Sequence, residues 1–466
     1  MYRIENDSIG SCPVPADAYY GVHTVRAQEN FPISGRIVHP VLTDSLIEIK
    51  KAAAVVHQEI GLLDRRRAGA IIQACDDLLS GRCREAFCVD AIQGGAGTST
   101  NMNVNEVIAN RALEIMGQAK GSYQVIHPND QINMSQSTND VYPTAGRMAL
   151  LKLLPGLIAA LAGLNRSLAG KAREFDAVLK LGRTQLSDAV PIRLGQEFQA
   201  WHATLRRAAG RLKAELPALR TVNLGGTAIG TCINADPRYL ARIVPTLNQL
   251  TGLKLHPADN LIDATQNLDG LLALSAALRG CAATLSKMAS DLRLLASGPK
   301  AGLGEITLPA RQNGSSIMPG KINPVIPEVV NQIAFAVIGH DVTATLAAEA
   351  GQLELNAFEP ILFDNLFSDI TMLRNGIATL DRHCIQGITA NQARCRELLD
   401  HSAALATALA PVIGYQKSSD VAKRVVSENR SVREIAEQEH LVDAGRLDNL
   451  LDAQRLTGPA AVGIWP

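Results

Sequence analysis

The segment from Gly314 to Pro324 holds the groups in this sequence that are best suited to chemistry on a small anion. It reads GSSIMPGKINP and combines two serines, two glycines, two prolines, a lysine and an asparagine. Proline fixes φ and lacks an N–H whereas glycine leaves φ free, so their dense alternation predicts a loop. Such a loop between long helices can present backbone N–H groups, a serine hydroxyl and the Lys321 ammonium to one anion. A plain connector whose serines bond only their own backbone is the alternative.

A glycine-rich stretch, residues 93–103, is a second candidate for binding an anion. It has neither a GxGxxG nor a GxxxxGK[ST] pattern and follows no strand pattern, so nucleotide binding is not expected. The spacing of apolar residues predicts a helix from Val104 to Met116. Thr98 to Asn103 would then lie where helix N–H groups point outward, a position that suits a carboxylate.

A second polar loop runs from His127 to Asp140. Ser137, Thr138 and Asn139 lie just ahead of a helix predicted to start near Pro143. N-capping of that helix explains one of these side chains but not three. The loop is therefore a second candidate for contacts with a ligand.

Two more segments interrupt the helical pattern. Residues 182–191 form a third polar loop, which can be an interhelical turn with Asp188 as a cap. Residues 225–231, GGTAIGT, are predicted to be a tight connection between helices, in which the glycines allow close backbone approach. No catalytic role is expected for those glycines.

Long helices must position these loops. The helical periodicity after Pro143 predicts four of them, at residues 143–174, 190–215, 266–297 and 327–356. A 30-residue helix is about 45 Å long, and helices of that length that are apolar on more than one face imply a bundle completed by other subunits. The predicted segments are 1–140, 141–390 and 391–466, all mainly helical.

Composition supports an all-α protein. A chain of 466 residues is expected to form two or three domains. Hydrophobic residues make up 47% and aromatic residues only 4%, so alanine and the aliphatic side chains supply the core, which suits closely packed helices.

The charge balance and the cysteine content limit the binding partners and the cellular compartment that we expect. Lysine plus arginine (45) equals aspartate plus glutamate (45), so no global field favours nucleic acid or an anionic membrane. Eight scattered cysteines without a CxxC pair predict reduced thiols in the cytoplasm. The N-terminus has no apolar stretch typical of a signal peptide. The most apolar run, 153–164, is interrupted by Pro155-Gly156 and is shorter than the roughly 20 residues of a membrane span.

The segment 314–324, with its continuation from Val325 to Gln332, resembles the signature of the aspartase/fumarase superfamily. The loops at 93–103, 127–140, 182–191 and 225–231 also resemble their counterparts there, so the resemblance covers nearly the whole chain. Three features resemble the aspartase members rather than the fumarases: the segment from Pro15 to Thr24, Thr138, and the continuation after Pro324. Gln185 stands where many members have histidine, so no imidazole is available there as a proton donor.

The resemblance implies an all-α, three-domain fold with a long central helix bundle, assembled as a homotetramer with a twenty-helix core. It also implies a reversible anti elimination of ammonia from L-aspartate to give fumarate, without an organic cofactor or a metal. In the superfamily each active site draws its three loops from three different subunits. A monomer is then expected to be inactive.

The resemblance further assigns roles to individual residues. Ser315 is the expected general base, which abstracts a proton from Cβ and leaves an aci-carboxylate intermediate. Gln185 keeps only a hydrogen-bonding role, and Glu328 lies near the site or serves as a first-turn helix carboxylate. The expected substrate contacts are Thr98, Ser137, Thr138 and Ser316 around the β-carboxylate, Lys321, Asn323 and Thr184 on the α-carboxylate, and Asn139 at the amino group.

Two alternatives remain open. The first is a class II fumarase, which would use L-malate in place of L-aspartate. The second is a non-catalytic helical relative, such as a lens-crystallin-like protein derived from a lyase, which would be expected to have lost one of the loop residues. Ser315, Lys321, Asn323 and Thr98 are all present.

Overall fold

The computed structural model describes residues 1–458, which form a mainly helical chain with four small two-stranded sheets. The helices are α1 (Val22–Asn30), α2 (Pro40–Glu59), α3 (Arg65–Leu79), α4 (Thr98–Ile115), α5 (Thr138–Glu174), α6 (Leu194–Ala214), α7 (Leu216–Arg220), α8 (Pro237–Thr251), α9 (Leu261–Gln266), α10 (Asp269–Leu295), α11 (Val325–Glu349), α12 (Glu359–His383), α13 (Gln392–Asp400), α14 (Ala410–Ile413), α15 (Tyr415–Glu428), α16 (Val432–Gln438), α17 (Ala444–Leu450) and α18 (Ala453–Leu456). The all-α prediction is confirmed.

The strands are short and pair two by two. They are β1 (Tyr2–Asp7), β2 (Gly10–Pro15), β3 (Leu179–Thr184), β4 (Ser187–Arg193), β5 (Thr221–Val222), β6 (His256–Pro257), β7 (Ile306–Thr307) and β8 (Thr389–Ala390). The β1–β2, β3–β4 and β7–β8 pairs are antiparallel, and β5–β6 is parallel. None of these sheets is large enough to form a core of its own.

The chain forms two compact units that each use several separate segments. The first unit comprises Met1–Ile158, Gly210–Ala282 and Phe335–Leu373, and the second comprises Ala159–Ala209, Ala283–Ala334 and the described residues 374–458. The three contiguous segments predicted from the sequence stay a prediction. Residues 459–466 of the last one lie outside the described residues.

The four predicted long helices are present as α5, α6, α10 and α11. Their ends lie close to the predicted ones, the largest difference being Glu349 against residue 356. α5 is a single helix that contains both Pro143 and Pro155. By length and composition α5 and α11 could cross a membrane, a test that core helices of soluble proteins also pass.

The core of the first unit is built around α2. Its buried residues Leu42, Leu46, Ile49, Ala53 and Val56 recur every three or four positions, so they form one continuous apolar face. α2 packs against α3 and α8, and α3 packs against α4. This packing fixes the position of α4, whose first turn carries Thr98.

A buried carboxylate fastens the N-terminal arm to α4. Glu106 is 1% exposed and accepts hydrogen bonds from the backbone N–H groups of Gly21 and His23, both at 2.8 Å, and from the Thr24 hydroxyl at 2.7 Å. Burial raises the pKa of Glu106 to about 7, while these donors lower it. A Cβ at Gly21 would lie 2.5 Å from Glu5 Oε2, so a larger residue there would displace the Glu5 carboxylate.

The second unit has its own apolar cluster in the C-terminal helices. Its buried members include Leu181 of β3 and the helical residues Leu399, Leu409, Val425, Ile435 and Leu447. Because Leu181 is part of this cluster, the C-terminal helices hold the β3–β4 hairpin in place.

Candidate active site

A glycine-rich turn at the start of α4 brings Thr98 to the surface. Gly95 and Gly97 have φ of +90° and +89°, which glycine adopts without strain. A Cβ at Gly97 would lie 2.4 Å from the Tyr142 ring, so this turn packs directly on α5. The exposed Thr98 hydroxyl donates to the Gly95 carbonyl at 2.7 Å and must rotate before it can donate to a substrate carboxylate.

The prediction that the polar residues lie ahead of their helices is partly wrong. α4 begins at Thr98 rather than Val104, and α5 begins at Thr138 rather than Pro143. Thr138 and Asn139 therefore lie in the first turn of α5. Tertiary contacts to buried side chains override the weak intrinsic helix preference of these polar residues.

Asp140 joins the first turn of α5 to a distant backbone loop. Its carboxylate is fully buried and accepts from the N–H groups of Ser137 at 2.9 Å, Gly225 at 3.0 Å and Thr227 at 3.1 Å. Burial raises the pKa of Asp140 to about 6, and the three backbone donors, with Lys50 nearby, lower it. This carboxylate sets the position of the Ser137–Asn139 segment.

Residues 223–228 also orient Asn139, through one side chain and one backbone carbonyl. The Asn139 side chain donates from Nδ2 to the Ala228 carbonyl at 2.7 Å, and Asn223 Nδ2 donates to the Asn139 carbonyl at 2.9 Å. Because a carbonyl can only accept, Nδ2 must face Ala228, and the acceptor Oδ1 is left for a ligand. An acceptor in that place suits an amino group.

Ser137 and Thr138 differ in burial and in partners. Ser137 is half-buried and its Oγ accepts from the Asn139 N–H at 3.2 Å. Thr138 is 8% exposed and its Oγ1 accepts from Asn101 Nδ2 at 3.0 Å. Both hydroxyl oxygens accept from the protein, so each hydroxyl hydrogen is available to an anion.

Residues 182–191 form a β-hairpin, not the interhelical loop expected from the sequence. Gln185 and Leu186 occupy its two-residue turn with φ of +53° and +64°, the pattern of a type I′ turn. Thr184 and Gln185 are exposed at this tip. Asp188 is not a helix cap, because it lies in β4 and accepts from Ser402 Oγ at 2.9 Å.

A buried ion cluster fixes the hairpin within the second unit. Glu305 is 0% exposed, and its carboxylate oxygens lie 3.0 Å from Arg183 Nη1 and 3.3 Å from Lys180 Nζ. Lys180 also donates to Glu197 at 2.8 Å. A cavity of about 820 Å³ opens beside the hairpin, but Gln185 is the only predicted site residue that lines it.

The segment 314–324 is the predicted loop, and hydrogen bonds close its base. The Gly314 N–H donates to the Lys321 carbonyl at 2.7 Å, and Asn323 Nδ2 donates to the Gly314 carbonyl at 2.8 Å. Within the loop, Ser315 Oγ accepts from the N–H groups of Ile317 at 3.2 Å and Met318 at 3.0 Å. Two backbone donors therefore converge on one serine oxygen.

Glu328 lies in the first turn of α11 and is half-buried. Its carboxylate is 3.9 Å from Arg293 Nη2 on α10. This position fits the first-turn carboxylate interpretation, and the nearby guanidinium gives it a partner within the second unit.

The predicted site residues form three groups. The first unit contains Thr98 with Ser137, Thr138 and Asn139, the second unit carries Thr184 and Gln185 at the hairpin tip, and a separate loop of the second unit carries Ser315, Ser316, Lys321 and Asn323. Ser316 and Lys321 are exposed.

Sequence reasoning missed Asp140 and Asn223, which hold the first group in place. Both are fully or almost fully buried, although asparagine and aspartate are mostly exposed in proteins. The paired glycines at 225 and 226 were the available signal, since close backbone approach needs a partner for the freed N–H groups. Within residues 1–458, histidine, cysteine and acidic side chains form no cluster of three or more that could hold a metal.

These loops and the helices that carry them match a known family of enzymes. A family model described as lyase matches residues 10–339, and one described as fumarase C C-terminus matches residues 405–458. The chain belongs to this lyase family.

Individual relatives are similar over their whole length. The aspartate ammonia-lyase of Pseudomonas fluorescens is 52% identical over 99% of this chain and 97% of its own. That of Bacillus subtilis is 49% identical over the same shares. A crystal structure described as fumarate lyase:delta crystallin from Brucella melitensis bound to cobalt is 50% identical, with a TM-score of 0.95 over 98% of this chain and all of that one. A class II fumarase from Schistosoma mansoni is 33% identical, with a TM-score of 0.95 over 99% of this chain and all of that one.

We predict that Asp140→Asn weakens both the fold and the site. The amide cannot accept on both sides, so either the Ser137 N–H or the pair from Gly225 and Thr227 loses its acceptor. We expect the free energy of unfolding to fall by about 2–4 kcal/mol, in the range for breaking a buried charged hydrogen bond, and KM to rise. Urea denaturation and steady-state kinetics measure both. The matched control, Asp236→Asn at the half-buried N-cap of α8, should change little because asparagine caps equally well. Wild-type stability in Asp140→Asn would contradict the assigned role.

Proposed function

We propose that this protein is an aspartate ammonia-lyase, which converts L-aspartate reversibly into fumarate and ammonia. One observation carries the proposal: relatives with 45–52% identity over 98–99% of the chain are aspartate ammonia-lyases. The chain is a carbon–nitrogen lyase, and its substrates are small molecules.

The chemical difficulty of this reaction is the weak acidity of the Cβ proton. Its removal leaves a carbanion that is tolerable only when the charge spreads into the adjacent carboxylate as an aci-carboxylate. The site must therefore bind more negative charge in the transition state than in the ground state. Fixed donors around that carboxylate meet this requirement, and we assign this role to Thr98, Ser137, Thr138 and Ser316.

Ser315 is the proposed general base. A neutral serine is a poor base, so its oxygen must gain negative character before the proton is transferred. The N–H groups of Ile317 and Met318 both donate to Ser315 Oγ, and charge-assisted hydrogen bonds of this kind favour an alkoxide. Lys321 in the same loop adds a positive charge.

The remaining contacts follow the substrate's other groups. Lys321, Asn323 and Thr184 are proposed to bind the α-carboxylate, while Gln185 adds a hydrogen bond. Asn139 is proposed to accept from the amino group, and its orientation supports this because Nδ2 is already bonded to the Ala228 carbonyl.

The fumarase alternative is less favoured. The Schistosoma mansoni fumarase is 33% identical to this chain, whereas the aspartate ammonia-lyases reach 52%. The non-catalytic alternative has little support, because every loop residue assigned a role is present.

The absorbance of fumarate, followed from L-aspartate and in parallel from L-malate, tests the assignment. Fumarate from L-aspartate alone is expected, and fumarate from L-malate alone would contradict it.

We further propose that the enzyme is a cytoplasmic homotetramer whose active sites combine loops from three subunits. The eight cysteines are all free, in keeping with a reducing compartment. α11 supports the assembly, because Phe335, Ile338, Val342 and Leu346 line one face and are 64%, 37%, 59% and 62% exposed. A continuous apolar face of this kind on a helix is typical of an interface.

Ser315→Ala should abolish most turnover while the protein remains folded. Loss of a general base lowers kcat by about 10²–10⁴-fold, and KM should change little because substrate contacts remain. The fumarate assay measures both constants. Ser80→Ala, at the exposed C-terminus of α3, is the matched control and should behave like wild type. Normal turnover by Ser315→Ala would rule out this base.

Val342→Glu should break the assembly and the activity together. A carboxylate in the middle of the apolar face of α11 would have to be desolvated at an interface. We expect sedimentation velocity to show species smaller than a tetramer and the fumarate assay to show little turnover. Val426→Glu introduces the same charge on α15 at a valine that is 75% exposed and should leave both properties unchanged. An active Val342→Glu tetramer would contradict the proposed interface.

A further inference from the structure

A chain of hydrogen-bonded polar side chains, all buried except the half-buried Asn133, lies beneath the first turn of α5 within the first unit. Lys50 on α2 is 1% exposed, and its Nζ lies 2.8 Å from Asn133 Oδ1. The same oxygen is 3.3 Å from Asn101 Nδ2 and 3.2 Å from Asn105 Nδ2 on α4. Asn101 Nδ2 in turn lies 3.0 Å from Thr138 Oγ1. These hydrogen bonds thus connect the buried Lys50 to Thr138, which is proposed to contact the substrate.

Two independent contacts fix the orientation of Asn133. The Lys50 ammonium can only donate, so the atom that faces it must be the oxygen. On the other side, Asn133 Nδ2 donates to the Gln136 carbonyl at 3.3 Å, and a carbonyl can only accept. Both contacts require Oδ1 to point at Lys50 and α4, and the second does so whatever the charge of Lys50.

The orientation of Asn133 determines that of Asn101. An amide oxygen can only accept, so the atom of Asn101 that faces it must be Nδ2. One hydrogen of Nδ2 points to Asn133 and the other to Thr138 Oγ1. Thr138 Oγ1 therefore accepts from the protein, and its own hydrogen is directed elsewhere.

We propose that Asn101 is a positioning residue that makes the Thr138 hydroxyl a hydrogen-bond donor to the carboxylate of the substrate. The inference rests on the proposed function, in which Thr138 contacts that carboxylate. A hydroxyl alone can turn either its hydrogen or its lone pairs outward. Because the Asn101 N–H occupies one lone pair of Thr138 Oγ1, the Thr138 hydrogen cannot point at Asn101 and is directed toward the substrate. Preorganised donors of this kind need no reorientation as charge develops in the transition state.

Asn101→Asp tests the proposal, because it keeps the shape and reverses the polarity. A carboxylate oxygen in place of Nδ2 accepts from Thr138, so the Thr138 hydrogen is drawn inward and lost to the substrate. We expect kcat/KM to fall by about 10²–10³-fold, the effect of losing one such donor, and as far as in Thr138→Val. The loss should lie more in kcat than in KM, since the donor acts mainly on the transition state.

Asn105→Asp is the matched control. Asn105 lies one turn further along α4, is equally buried and donates to the same Asn133 oxygen, but makes no hydrogen bond to Thr138. It brings the same charge near Lys50, so any general effect on folding is shared. We expect its kcat/KM to stay within about threefold of wild type, well below the cost of losing a donor.

A double-mutant cycle separates positioning from a structural role. In the Thr138→Val background, Asn101→Asp should lower kcat/KM by less than about threefold, because its target is already gone. Equal losses for Asn101→Asp and Asn105→Asp would overturn the proposal. The proposal would also be overturned if the fold losses of kcat/KM in Asn101→Asp and Thr138→Val multiplied in the double variant.

Two further measurements keep the test decisive. If Asn101→Asp does not fold by circular dichroism, Asn101→Ala enters the cycle with Asn105→Ala as its control. Alanine leaves the Thr138 hydroxyl free to turn either way, so its loss should be smaller than that of Thr138→Val, larger than that of Asn105→Ala, and absent in the Thr138→Val background. Calorimetric binding of succinate to the whole panel reports on the Thr138 donor without turnover. A wild-type protein that binds succinate but forms no fumarate from L-aspartate would contradict the proposed function. Unchanged succinate affinity in both Asn101→Asp and Asn101→Ala, with Thr138→Val weakened, would contradict the positioning role.

Discussion

The buried carboxylate of Asp140 is the interaction on which the first half of the site depends. It gathers three backbone N–H groups, one from its own turn and two from a loop 85 and 87 residues away in sequence. A carboxylate without those donors would be strongly disfavoured in the interior. The donors, in turn, belong to backbone that makes no helix there. The two segments therefore stabilise each other, and the Ser137–Asn139 turn takes its shape from both.

The other loops follow the same principle of backbone and side chain completing each other's hydrogen bonds. Asn323 closes the base of the serine loop on Gly314, and Ser315 collects two N–H groups at its centre. Glu305 holds the β3–β4 hairpin in place through ion pairs with Lys180 and Arg183. In each case a polar contact away from the substrate determines where the proposed substrate contact lies.

The sequence was informative where a local pattern decides the outcome. Helical periodicity predicted the four long helices, and the density of proline and glycine predicted the loop at 314–324. The β3–β4 hairpin was missed because its turn uses Gln185 and Leu186 with positive φ, where glycine or asparagine would have been the usual signal. The series of hydrogen-bonded side chains that links Lys50 to Thr138 was missed for a different reason. Asparagines such as Asn101 and Asn105 are typical of exposed helix positions, and only tertiary contacts bury them.

The packing at Gly97 makes substitutions in two loops depend on each other. The space that a side chain would occupy at this position is filled by the Tyr142 ring of α5. Any other residue at 97 would have to push back the helix whose first turn carries Thr138, and a bulkier residue at 142 would push back Thr98. Neither loop can be remodelled alone, so a change of substrate along this lineage would require linked substitutions at the starts of α4 and α5.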